Sequence, residues 1–161
     1  MKRISFLLLI SIITSCTQSG PAKLTEEARN RVSGEVESML NAYFDDIRKE
    51  GLLGEFKHLD SSPDFFWVPP GYNTAISYDS VKTILTENAS NFLSIDFEWE
   101  TLRIVPLKMG IANYTGVVSG TMIGASGDTT SVKMIETGTV IKRDNGWKIL
   151  SGQSRHVSGE I

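Results

Sequence analysis

Between Thr25 and Gly51 the large apolar positions are Val32, Val36, Met39, Leu40, Tyr43, Phe44 and Ile47. Steps of four, three and one keep them on one side of an α-helix. Thr25, followed by Glu26 and Glu27, offers a cap oxygen and first-turn acids for its start, and Gly51 marks its stop. A short second helical segment, "LLGEFKHL", is broken by "SSPD". "FFWVPPG" is aromatic and β-prone until Pro69 and Pro70 halt it, which predicts a short edge-type strand. In "YDSVKTILTENA", Val81, Ile84 and Leu85 stand at helical spacing and predict a third helix.

From Phe92 onward the pattern turns β-branched, aromatic and partly alternating. Four such segments are separated by Lys108-Met109-Gly110, Ala125-Ser126-Gly127-Asp128 and Asp144-Asn145-Gly146. Connections this short make hairpins, so the second half predicts a four-strand antiparallel meander. Helices first and a sheet after give an α+β class, with the sheet wrapped around the long helix.

The first sixteen residues do not belong to that pattern. Lys2 and Arg3 precede an apolar run from Ile4 to Ile13, about half the roughly 20 residues that span a bilayer. A positive start, a short apolar run and then Ile13-Thr14-Ser15-Cys16 read as an export signal. The last four residues resemble the bacterial lipobox, which implies cleavage before Cys16 and acylation of its thiol. An ordinary signal peptide with an incidental cysteine is the alternative. The expected organisation is a signal at 1–15, lipidated Cys16 with a tether through residue 24, and one domain from 25 to 161. Thr17 rather than Asp follows the cysteine, which favours the periplasmic face of the outer membrane.

Composition narrows the chemistry. Cys16 is the only cysteine, so once it carries lipid no thiol remains for catalysis, a disulfide or a metal. Loss of Lys2 and Arg3 reduces 16 basic side chains to 14 against 19 acidic ones, a formal charge of −5. An acidic domain without a basic run has nothing to offer a phosphate backbone, which argues against nucleic acid. The two histidines, His58 and His156, stand in different segments with no ligand-spaced acids, so no metal or other cofactor is expected. His58 is expected to face out of the short helix and His156 to lie in the tail.

The order helix, short helix, strand, helix and four strands resembles the nuclear transport factor 2-like superfamily. This is the cone-shaped fold of ketosteroid isomerase and the SnoaL-like cyclases. The ending "ETGTVIKRDNGWKILSGQS" carries the resemblance most specifically, as a closing hairpin with Trp147 on the last strand. The resemblance implies a pocket between the long helix and the concave sheet face, and dimerisation through the convex face. It also implies an Asp before the Pro that ends the first strand, and His four and six residues after the Trp. Here those places hold Val68, Ser151 and Gln153, and none of the three is a useful base at neutral pH.

Glu136 is the remaining candidate for acid–base chemistry. In "MIETGTV", alternation puts Met134, Glu136, Gly138 and Val140 on one face, and burial there would raise the Glu136 pKa. A solvated strand glutamate is the plainer alternative. Tyr43, Trp67, Tyr78 and Trp99 are candidate aromatic walls, with Ser151 and Gln153 as polar handles. The expectation placed first is a non-catalytic, lipid-anchored module that binds a small, partly apolar ligand or pairs with itself or another envelope protein. The alternative is a SnoaL-like isomerase, dehydratase or hydrolase with Glu136 as general base.

Overall fold

The computed structural model describes residues 23–157; the signal segment and Cys16 lie outside them. Helix α1 runs Glu26–Glu50. Thr25 Oγ1 accepts from the Ala28 N–H at 3.2 Å, Glu26 and Glu27 occupy the positive end, and Arg48 and Lys49 the negative end. Gly51 ends the helix by donating its N–H to the Ile47 carbonyl. A 3₁₀ helix, Gly51–Lys57, folds straight back onto α1. Then come strand β1 (Phe66–Val68) and helix α2 (Tyr78–Asn88), which Ser77 caps through the Ser80 N–H. The meander follows as β2 (Phe92–Lys108), β3 (Ile111–Gly124), β4 (Thr129–Arg143) and β5 (Gly146–His156).

The sheet order is β1-β5-β4-β3-β2. The four long strands are antiparallel, and β1 joins β5 in parallel, so the sheet is mixed. Register shifts along β2, at Phe92/Ser94, Trp99/Thr101 and Pro106/Lys108, bend it around the helix. The concave face receives the α1 stripe. Val32, Val36 and Leu40 are completely buried, and Phe44 packs on Trp99 and Phe97 with ring centroids 4.9 and 5.9 Å apart. Asp96, Glu98 and Glu100 point from the same strand into solvent, where Asp96 meets Arg48 of α1 at 2.6 Å. Trp147 is buried at the start of β5, its indole N–H donating to Glu35 at 2.8 Å. Among the described residues no helix is long and apolar enough to cross a membrane.

Two placements differ from the sequence reading. His58 does not face outward. It is 8 % exposed, hydrogen-bonds Asp46 through Nε2 at 2.8 Å, and presents its ring edge-on to Tyr43. The cause is the 3₁₀ period of three, which sets His58 in line with Glu55 and Leu52 on the inner side. His156 is the last residue of β5 rather than part of a tail, and it is exposed.

Candidate active site

The open end of the cone holds a cavity of about 190 Å³. Tyr43 enters it from α1, Glu55 from the 3₁₀ helix, Trp67 from β1, Glu136 from β4 and Ser154 from β5. Phe44, Phe97 and Met134 supply apolar wall, and Pro69, Pro70 and α2 close the remaining side. Alternation along β4 turns Val132, Met134, Glu136, Gly138 and Val140 inward, all buried, while Lys133 and Thr137 face solvent. Glu136 retains 4 % exposure.

Each acid is held by a tyrosine. The Tyr43 hydroxyl donates to Glu55 Oε2 at 3.0 Å, and the Tyr114 hydroxyl of β3 donates to Glu136 Oε1 at 2.8 Å. One oxygen of each carboxyl is thereby occupied. Burial pushes Glu136 up to about 7, with the Tyr114 hydrogen bond pulling the other way. Burial also pushes Glu55 up to about 7, opposed by Tyr43 and reinforced by the nearby Glu136 charge. Both tyrosines are raised well above their ordinary value, first by burial and then by the two acids, so they stay protonated donors. The result is two carboxyl groups near neutrality in an apolar chamber, each steadied by a neutral donor. Such a pair can take a proton at one point and give one at another.

Of the residues singled out in the sequence, Tyr43, Trp67 and Glu136 meet in this cavity. Trp99 does not line it. It lies behind the wall between Phe44 and Tyr114, as packing. Tyr78 sits edge-on against Phe65 and borders a separate polar groove near Asp60 and Arg143. Ser151 and Gln153 are on the opposite, outer side of the sheet, in a shallow groove with Phe66 and Val68. The reason is a bulge. Val140 pairs with Ile149 but Thr139 pairs with Ser151, so Leu150 is extra and the alternation of β5 inverts beyond it. The inward positions there become Gly152 and Ser154, and on the parallel neighbour β1 the inward residue is Trp67 rather than Val68. Gly152 is required beside Trp67, because a Cβ would collide with the indole ring and the Thr137 carbonyl.

Glu55 and Tyr114 escaped the sequence reading. The trace of Glu55 is its three-residue spacing from Leu52 and His58 in a segment headed by glycines; a helical period of 3.6 hides it. Among the described residues no three His, Cys, Asp or Glu side chains converge as a metal site.

The geometry defines the class of fold. Comparison with solved structures shows that it is the nuclear transport factor 2-like fold. A nuclear transport factor 2-like superfamily protein from Salmonella enterica superposes with a TM-score of 0.69 at 16% identity, covering 82% of this chain and 95% of the other. A protein described as a scytalone dehydratase from Novosphingobium aromaticivorans gives 0.73 at 16% identity, covering 83% and 89%. The hexachlorocyclohexane dehydrochlorinase of Novosphingobium barchaimii gives 0.65 at 12% identity, covering 84% and 97%. No protein-family model matches the sequence, and no curated protein matches it. At these identities the likeness establishes the fold, and chemistry rests on the site itself.

Proposed function

We propose that the domain is an acid–base enzyme acting on a small, ring-containing, largely apolar molecule, in an isomerisation or elimination that begins with proton abstraction from carbon. One observation carries the reading: Glu55 and Glu136 enter a single apolar cavity, each anchored by a tyrosine hydroxyl. Glu136, held by Tyr114 through one oxygen, takes the proton with the other. Glu55, protonated and steadied by Tyr43, returns one to the leaving group or to a developing oxyanion. An engineered apolar cavity of about 150 Å³ holds benzene, so about 190 Å³ suits one ring with small substituents. That two of the superposed proteins are described as a dehydratase and a dehydrochlorinase supports the reaction class. Simple binding, placed first by the sequence because Val68, Ser151 and Gln153 vacate the usual positions, leaves two raised acids without a task.

The test needs no natural substrate. Nitrobenzisoxazole, a flat neutral bicycle, opens when a base removes its ring C–H proton; the N–O bond breaks and its electron pair leaves as a cyanonitrophenolate. The full-length protein in detergent should accelerate this opening over buffer, with a rate that climbs as pH passes about 7. Glu136→Gln should remove at least roughly a hundredfold of that acceleration, the usual contribution of a placed base. A rate unchanged in Glu136→Gln would sink the reading.

We also propose that Cys16 is acylated and tethers the domain to a membrane outside the cytoplasm. The support is the order of charge, apolar run, small residues and lone cysteine in residues 2–16. Cells fed labelled palmitate should incorporate it into the parent protein and not into Cys16→Ser, which should also leave the membrane fraction. Equal labelling of both would overturn the anchor.

A further inference from the structure

Among the described residues, the buried and half-buried acids follow a rule with two exceptions: each has a cationic partner except Glu55 and Glu136. Asp60, 4 % exposed, is bound by Arg143 at 2.6 Å; burial pushes its pKa up, but the Arg143 and Ser62 hydrogen bonds outweigh that and leave it lowered. Glu35 is bound by Lys142 at 2.6 Å, and Asp46 by Lys57 at 3.2 Å and by His58. Among the described residues Glu55 and Glu136 have only tyrosine hydroxyls as side-chain partners, and no lysine, arginine or histidine lines their cavity. Uncharged donors satisfy one oxygen of each acid and neutralise neither. Four aromatic rings, those of Tyr43, Phe44, Trp67 and Phe97, make up much of the wall. Aromatic faces and carboxylates attract the same thing, an organic cation.

We propose that the cavity takes a second class of ligand, a small primary amine carrying one ring, bound as its ammonium ion against Glu55 and Glu136 with the ring among the aromatic walls. The proposal rests on the cavity being the ligand site of the preceding section, and the amine is a competing occupant rather than the substrate, because it takes up the carboxyl oxygens that proton transfer needs. The ammonium supplies the positive charge that Arg143 and Lys142 supply elsewhere, and its three N–H donors match the two free carboxyl oxygens and the Ser154 hydroxyl. A carboxylate ligand would meet two acids and no cation. A neutral ring would fill the walls and leave the acids unpaired once both are ionised.

Three probes of one shape separate these cases: benzylamine, benzyl alcohol and benzoate, titrated by calorimetry into the full-length protein in detergent at about pH 8, where both acids are ionised. Benzylamine should bind at least tenfold more tightly than benzyl alcohol, and benzoate should give no heat. Glu55→Gln and Glu136→Gln should each shrink the preference for amine over alcohol while far-ultraviolet circular dichroism stays unchanged. Equal affinity for amine and alcohol, a preference that survives both substitutions, or no binding of benzylamine would each overturn the proposal. The readout is separable from catalysis. Amine binding without nitrobenzisoxazole opening sinks the acid–base reading alone, and the reverse pattern sinks the amine alone.

Discussion

Glu136→Gln should make the protein more stable at about pH 8, by up to about 3 kcal/mol, and change it little near pH 5. Glu136 is raised from 4.5 to about 7 in the fold, so the folded chain holds its proton more tightly than the unfolded chain. Between those values folding takes up a proton, and stability falls as pH rises. The penalty is absent below 4.5 and complete above about 7. Glutamine carries no charge to desolvate, and the Tyr114 hydroxyl can donate to its amide oxygen as it does to the carboxylate. Glu55 has the same sign, and the Glu136 charge is one of its causes, so the double substitution should gain less than the two single gains added. Asp60 works the other way. Its lowered pKa stabilises at neutral pH and is lost in acid, which places the stability maximum on the mildly acidic side. Urea titrations of parent and variants at the two pH values measure this. A Glu136→Gln chain that gains nothing at the higher pH would mean that the acid is not buried as a charge.

A second large effect should come from Gly54→Ala, with a loss of about 3 kcal/mol, the upper end of ordinary overpacking. The 3₁₀ helix returns so closely over α1 that a Cβ on Gly54 would overlap the Asp46 carbonyl oxygen, lie 2.6 Å from its carbon and 2.9 Å from the Ile47 nitrogen. All three are backbone atoms, so no rotamer change relieves the clash and the two elements must part. Glu55 is the next residue, so nitrobenzisoxazole opening should fall with stability. Gly34→Ala is the control. Gly34 is exposed in the middle of α1 with nothing within 4 Å of its Cβ position, and there the same change should stabilise by about 0.5–1 kcal/mol. Chemical denaturation of the two variants should therefore shift in opposite directions. A Gly54→Ala chain as stable as the parent would remove the close approach as the device that seats Glu55.

The pattern along the chain determined the parts that depend on one repeating geometry at a time. The α1 stripe from Val32 to Ile47 follows from 3.6 residues per turn. The inward set of β4, Glu136 included, follows from strict alternation. The strand boundaries follow from short turns that few residue types can make. Tertiary structure decided what happens where a period breaks or two distant elements meet. One extra residue, Leu150, reverses the faces of β5 and carries Ser151 and Gln153 outside, and periodicity cannot register a one-residue insertion that only the partner strand reveals. Glu55 reaches the cavity because a 3₁₀ turn docks on α1 through Gly54, and Tyr114 reaches Glu136 across the β3–β4 pairing. The shift of both acids toward neutrality has the same origin: it comes from burial against residues far away in sequence, which the neighbours of Glu55 and Glu136 along the chain do not encode.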